Sequence, residues 1–211
     1  MGPGGRAGDP SDDPPRRTRP SGVDQRLHRL RSLMTGSLVA LVLASLLVWG
    51  LAGHPAPKGR AGVGVGSEAP DFTLPSLTGG PPVHLDALGR DRHHPVVLNF
   101  FASWCVPCQQ ETPTFAATAS AERAAGSDVQ FVGVDVADPP ADAVPFVRGA
   151  GVTYPVGADA TFAVSSSRYG LDGQPNTFFI DPTGHVIGHV EGAVSRAELL
   201  RWIDRLRAGP T

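Results

Sequence analysis

The fold is decided by "NFFASWCVPCQQETP", residues 99–113, which holds both cysteines of the 211-residue chain. A continuous apolar run over residues 95–102 leads into it, as is typical of a buried β-strand. From Val106 onward the pattern becomes helical. Cys105 and Cys108 are therefore predicted to lie where a buried strand gives way to a helix.

This position predicts redox chemistry for the cysteine pair. Free N–H groups and the helix dipole favour negative charge at a helix start, and the thiolate is the form that attacks disulfides. Cys105, at the exposed end of the helix, is predicted to attack a substrate disulfide. Cys108, in the first turn, is predicted to resolve the mixed disulfide by attacking Cys105.

Three other interpretations of the pair stay open. A zinc site needs two further ligands, and the only nearby candidates, His93 and His94, stand at the opposite end of the strand. A structural disulfide would close a loop too short to add much stability. Two buried thiols can also be neighbours by chance. The redox interpretation is favoured, with no metal and no cofactor expected.

The remaining pattern predicts an α/β fold, with one mixed central sheet and helices on both faces. Two short strands are predicted first, one in "DFTL" and one in "PVHLDAL" that runs into a helical turn. The later predicted elements are a buried strand over 129–136, a helix opened by Pro139-Pro140, a shorter helix over about 160–169, a hairpin of "NTFFID" and "HVIGHVEG", and a last amphipathic helix. Ser195 and Glu198 have the spacing of a capping box at the start of that last helix.

The N-terminal part predicts a membrane anchor. Residues 33–53 carry no charge, and as a helix they would span about 31 Å, enough to cross a bilayer core. Three arginines just before them predict a cytoplasmic N-terminus and an extracytoplasmic remainder. A cleaved signal peptide is the alternative, although its apolar region is normally shorter.

The predicted organisation has four parts: a disordered basic cytoplasmic tail over 1–32, a transmembrane anchor over 33–53, a flexible linker over 54–66 and a folded domain over 67–208. Before Ser67 there are nine Lys/Arg and four Asp/Glu, about +5, and from Ser67 onward nine and sixteen, about −7. An acidic domain argues against nucleic acid as a partner, because nucleic acid calls for a basic surface.

The motif "FASWCVPCQQETP" resembles the thioredoxin superfamily, which has W-C-x-x-C and a proline five residues after the second cysteine, here Pro113. With "VGSEAPDFTLPSLTGG", "YGLDGQPNTFFIDPTGHVIGHVEG" and the anchor, the chain resembles TlpA/ResA-like membrane-anchored thiol-disulfide oxidoreductases over about residues 64–207. The resemblance implies a thioredoxin fold that reduces protein disulfides. Apocytochrome c is one candidate substrate, and a membrane dithiol protein is the implied electron donor.

The resemblance also implies a substrate-binding surface. The matching family position of Pro175 is a cis-proline packed against the C-x-x-C motif. The backbone of Gln174 is then predicted to bind an extended substrate segment by strand-like hydrogen bonds. Trp104, next to Cys105, is predicted to cover one side of the thiol pair, with a core position as the alternative.

Glu111 is the remaining predicted catalytic residue. It lies three residues after Cys108, on the same helical face, and the resemblance implies a functional Glu at this C-x-x-C-x-x-E position. A buried carboxyl group there can relay the proton of Cys108. The alternative is a carboxylate that only stabilises the start of the helix. Asn99 stands where thioredoxin has an Asp, so we hypothesise that Glu111 took over the acid–base role.

Two rival functions remain. "APDFTL" also opens peroxiredoxins, but their Pro and Thr, seven and three residues before the reactive cysteine, are replaced by Leu98 and Ala102 before Cys105. Thioredoxin-fold copper chaperones use C-x-x-x-C and a downstream His, whereas no His occurs here between residues 94 and 185. Asp135 is interpreted as facing a loop, and His185 and His189 as facing solvent, so none of the three is assigned to the site.

Overall fold

The computed structural model describes residues 62–209. The predicted tail, the predicted anchor and most of the predicted linker lie outside these residues. Within the described part, no helix has both the length and the apolarity needed to cross a bilayer. The segment just before residue 67 already forms backbone hydrogen bonds with the folded domain. The N–H of Val63 donates to Tyr169 O, and the N–H of Gly66 donates to Val186 O.

Residues 62–209 contain seven strands and four α-helices. The strands are β1 (Thr73–Leu74), β2 (Val83–His84), β3 (Val96–Phe101), β4 (Gln130–Val136), β5 (Val156–Asp159), β6 (Asn176–Ile180) and β7 (Val186–Glu191). The helices are α1 (Leu85–Leu88), α2 (Val106–Ala124), α3 (Pro140–Gly149) and α4 (Arg196–Ala208), with a short 3₁₀ helix at Arg90–Arg92.

Five strands form the central sheet in the order β5-β4-β3-β6-β7. Strands β3, β4 and β5 are parallel, whereas β6 is antiparallel to both β3 and β7. The predicted mixed sheet is therefore confirmed. Strand β5 was not predicted, because its sequence "VGAD" is short and lacks an alternating or continuous apolar pattern. Strands β1 and β2 form a separate antiparallel pair.

Alternate side chains of β3 enter two different apolar cores, one on each face of the sheet. Val97 and Phe101 belong to the core that also contains buried residues of α2, α3 and α4. Val96, Leu98 and Phe100 belong to the second core, which the β1–β2 pair, α1 and the segment 160–171 cover. The three long helices thus share one face, and only the one-turn α1 fulfils the expectation of helices on both.

The prediction of a helix over residues 160–169 is wrong, because this segment is a series of turns. The carboxylate of Asp159 accepts hydrogen bonds from the backbone N–H groups of Val164 and Ser165, at 3.2 and 2.8 Å. Phe162 has a φ of 58°, in the left-handed region, which interrupts a helical repeat. The segment still buries Tyr169 completely against the sheet.

Candidate redox site

Cys105 and Cys108 form a disulfide at the N-terminus of α2. Cys105 is the N-cap of the helix, and its Sγ accepts a hydrogen bond from the backbone N–H of Cys108 at 3.3 Å. Pro107 lies in the first turn, where a missing N–H costs no helical bond. An N–H group and the positive end of the helix dipole therefore face Cys105, as a stabilised thiolate requires.

Cys105 is more covered than the sequence suggested. Cys108 is completely buried and Cys105 is only 5% exposed, so the expectation of an openly exposed Cys105 is wrong, although the order of exposure is as predicted. Trp104 and Val106 on either side are 61% and 60% exposed. The core position considered for Trp104 is thus excluded. Large apolar side chains flank the disulfide on the surface.

The strand pairing brings the Gln174-Pro175 segment to the disulfide. Because Phe100 in β3 pairs with Asn176 in β6, the residues just before β6 lie at the end of β3 where the cysteine loop begins. The peptide bond between Gln174 and Pro175 is cis. Cys105 Sγ lies 3.6 Å from the carbonyl oxygen of Gln174. The predicted neighbours of the cysteines are therefore adjacent to them.

Glu111 lies on the buried face of α2, one turn after Cys108, with 3% of its surface exposed. Its Oε1 accepts a hydrogen bond from Asn99 Nδ2 at 2.9 Å, and its Oε2 accepts one from the backbone N–H of Val194 at 2.8 Å. Burial raises the pKa of Glu111 to about 7, while the two hydrogen bonds act in the lowering direction. The carboxyl group can therefore both bind and release a proton near neutral pH.

Two partners of this carboxyl site were missed by sequence reasoning. Thr177 Oγ1 accepts a second hydrogen bond from Asn99 Nδ2, at 3.0 Å, and Thr177 pairs with Asn99 across β3 and β6. Thr177 lies two residues after Pro175. Side chains two positions apart on a strand point to the same face of the sheet, so the predicted place of Pro175 next to the cysteines was a usable signal for Thr177. Nothing in the local pattern indicates the contact of Val194 with Glu111, because 83 positions separate the two residues.

The loop-facing position expected for Asp135 is wrong. Asp135 is 1% exposed, near the end of β4, and Asp138 just beyond it is 8% exposed. Burial first, and then contact with the Asp138 carboxyl group, raise the pKa of Asp135 to about 8. Asp138 Oδ2 accepts a hydrogen bond from the backbone N–H of Ser103, in the loop before Cys105.

A groove of about 500 Å³ runs along the segment that precedes β6, and its wall includes Gln174 and Pro175. His189 and Glu191 of β7 line the same groove. His189 is only partly exposed, because its ring stacks on Phe178 with a centroid distance of 4.1 Å. Its Nε2 is 2.7 Å from Asn176 Oδ1, and desolvation lowers its pKa. Among residues 62–209, no three His, Cys, Asp or Glu side chains group as a metal site would require.

Fold and cysteine pair together define a class, the thioredoxin-like thiol-disulfide oxidoreductases. Comparison with known proteins agrees. The family model of the AhpC/TSA family matches residues 65–189. The chain is 30% identical to the thiol-disulfide oxidoreductase ResA of Geobacillus kaustophilus over 148 residues, covering 70% of this chain and 81% of the relative. It is also 30% identical to ResA of Bacillus subtilis over 153 residues, covering 72% and 82%.

A solved structure described as the thiol:disulfide interchange protein DsbE of Chlorobium tepidum has the same fold. Its TM-score is 0.60 at 30% identity, with 68% of this chain and 98% of that chain covered. The protein therefore belongs to the AhpC/TSA family and, within it, to the ResA-like thiol-disulfide oxidoreductases. The resemblance seen in its sequence is thereby confirmed.

Proposed function

We propose that this oxidoreductase is tethered to the cell membrane by residues 33–53 and reduces disulfides of proteins outside the cytoplasm. The observation that carries the reductase proposal is the Cys105 sulfur, which caps α2 and lies 3.6 Å from the carbonyl before the cis-proline. The uncharged segment and the arginines before it support the tether and its orientation, with the N-terminus in the cytoplasm.

The reaction uses both sulfurs in turn. The Cys105 thiolate attacks one sulfur of the substrate disulfide, forms a mixed disulfide and expels the other substrate sulfur as a thiolate. Cys108 then loses its proton and attacks Cys105 Sγ, which breaks the mixed disulfide and releases the second substrate sulfur. The substrate gains two electrons, and the protein ends with the Cys105–Cys108 disulfide seen in the structure.

Glu111 is proposed as the group that takes the proton of Cys108. The carboxyl group lies one helical turn from Cys108 and is buried with it. Two donors, Asn99 and the backbone of Val194, fix the position of its oxygens. Asn99 does not titrate, so Glu111 is the ionisable member of this pair. A general base with a pKa near the working pH is the most effective.

The substrate segment is proposed to bind beside Pro175. Pro175 has no N–H, so strand-like hydrogen bonds to the substrate involve the backbone of Gln174 instead. The exposed side chain of Trp104 offers apolar contact next to the reacting sulfur. Disulfide-bearing proteins, with apocytochrome c as a candidate, are the proposed substrates, and a membrane dithiol protein is the proposed source of electrons.

The reductase proposal is tested by trapping the mixed disulfide. In Cys108→Ser the resolving sulfur is absent, so the substrate should stay bound to Cys105 and run as a higher band that disappears on reduction. Cys105→Ser is the matched control, because its remaining sulfur belongs to the fully buried residue 108. Equal trapping by both variants, or none by Cys108→Ser with any disulfide-bearing protein, would contradict the proposal.

The tether is tested separately. The full chain should sediment with membranes after an alkaline wash, and deletion of residues 33–53 should release it. In intact cells, a maleimide that does not cross membranes should label the reduced thiol of Cys105 in Cys108→Ser. Labelling only after the cells are broken would place the domain in the cytoplasm and overturn the proposed orientation, whatever the trapping experiment gives.

A further inference from the structure

Asp135 and Asp138 form a buried pair of carboxyl groups next to the cysteine loop. Both side chains are buried, and a side-chain hydrogen bond with Asp138 is among the causes that raise the pKa of Asp135. One oxygen of each, Oδ1, is buried without a hydrogen-bond donor. Two ionised carboxylates repel and cannot hydrogen-bond, so this contact requires a proton between them. A shared proton would supply the missing donor.

Among residues 62–209, no cation contributes to the pKa of Asp135 and so relieves the repulsion within the pair. At the level of Asp135, the neighbouring strands contribute Phe101 from β3 and Ala158 from β5, and neither carries a charge. Asp138 is the ionisable group that acts on Asp135, and both burial and this neighbour raise the pKa of Asp135 to about 8. At neutral pH the protonated form of Asp135 therefore predominates.

The pair is connected directly to the turn that precedes Cys105. Asp138 Oδ2 accepts the backbone N–H of Ser103, two residues before Cys105. The other side of the same peptide segment is held by Gln109 Nε2, which donates to Ser103 O at 2.6 Å. The N–H of Cys105 donates to Ala102 O at 3.2 Å and closes the turn. Displacement of Asp138 would leave this turn without one of its supports.

We propose that Asp135 is a positioning residue of the redox site, which shares one proton with Asp138 and thereby keeps Asp138 on the Ser103 amide. When the pair loses that proton, the two carboxylates repel each other and the turn before Cys105 loosens. The proposal uses only the thiol-disulfide exchange activity, and it is independent of the substrate and the location proposed above.

The first test follows the Ser103 amide in the full-length, oxidised chain in detergent micelles, where neither cysteine titrates. In the unmodified protein we expect its ¹H–¹⁵N chemical shift to change through a transition near pH 8, the pKa of Asp135. Asp135→Asn should show no such transition, because the amide donates an N–H at every pH. Glu111→Gln should retain it, which separates Asp135 from the other raised carboxyl group.

The second test compares rates of disulfide reduction over the same pH range. Dividing the rate of the unmodified protein by that of Asp135→Asn cancels the titration of the thiols, which both proteins share. We expect this ratio to be constant below the transition and to fall several-fold above it. Asp135→Ala, which offers no donor, should be slower than Asp135→Asn at every pH.

The proposal is overturned if Asp135→Asn keeps the transition of the Ser103 amide. It is also overturned if folded Asn and Ala variants react at the same rate, since a side chain that only fills space would give that result. If Asp135→Ala does not fold, Asp138→Asn replaces it. The asparagine side chain of this variant can still accept the N–H of Ser103 and donate its own N–H to Asp135. The variant should therefore lose the transition of the Ser103 amide near pH 8. A retained transition would contradict the shared proton.

Discussion

At the scale of single residues, the acid–base properties of the site depend on Glu111. Its carboxyl group receives two hydrogen bonds that favour the ionised form, yet burial outweighs them and raises its pKa to about 7. The same side chain on the surface would stay ionised at neutral pH and could not take up a proton there. Placement on the buried face of α2 therefore gives an ordinary glutamate its proposed role.

Glu111→Gln should slow disulfide reduction at pH 7 by on the order of 10²-fold, because the group that accepts the Cys108 proton is removed. The inflection near pH 7 should also disappear from the rate profile. Both are measured with a model disulfide, and the thiol pKa values by the pH dependence of alkylation. Glu122→Gln, on the same helix but paired with Arg207, is the control and should keep the profile. Unchanged titration of both cysteines in Glu111→Gln would contradict the assignment.

At the scale of elements, the contact between α4 and the sheet depends on a glycine in β7. The ring of Trp202 in α4 stacks on Phe179 of β6 at a centroid distance of 4.7 Å. A Cβ added at Gly188 would lie 2.3 Å from this indole ring. The absence of a side chain at this position therefore lets the helix lie close to the sheet, and the ring fills the space.

Gly188→Ala should destabilise the protein by about 1–3 kcal/mol, since the added methyl group forces the indole ring or the helix to move. Urea unfolding of the oxidised protein measures the change. Gly149→Ala, at the end of α3, is the matched control because its added Cβ meets no atom within 4 Å. This control should leave the free energy of unfolding unchanged or raise it slightly. Equal stability of the two variants would show that the packing of Trp202 adapts without cost.

At the scale of the whole molecule, buried carboxyl groups make stability depend on pH. Folding raises the pKa of Glu111 from 4.5 to about 7 and that of Asp135 from 3.8 to about 8. The folded state therefore binds more protons than the unfolded state between these values, and these two groups make the protein less stable as pH rises through that range. His189 acts in the opposite direction, because its pKa is lowered from 6.5.

The contribution of Glu111 is isolated by comparison with Glu111→Gln. Its raised pKa corresponds to about 3 kcal/mol of stability lost between about pH 4 and pH 8. We measure the unfolding free energy of both proteins in urea, with the disulfide intact, across this pH range. The loss of stability with rising pH should be smaller in the variant than in the unmodified protein, and the difference should be about this amount. Parallel pH profiles for the two proteins would mean that Glu111 ionises normally in the folded state.

Several elements follow from the sequence because their signals are local. The apolar run of β3, the start of α2 at the cysteines, the β6–β7 hairpin and the Ser195 cap of α4 each depend on residues within a few positions of one another. The same holds for the pair of cysteines, whose spacing of three positions and place before a helix predict a disulfide without knowledge of the rest of the chain.

The tertiary structure alone decided how the site is enclosed and titrated. It placed the carbonyl of Gln174 at the Cys105 sulfur across 69 positions, and the amide of Val194 at Glu111 across 83. It also buried Asp135, which the sequence indicated as facing a loop, and exposed Trp104, for which the sequence left a core position open. The physical reason is that burial and pKa depend on which strands are adjacent and which helix covers them. Strand order is fixed by packing of the whole chain, and no local pattern of residues encodes it.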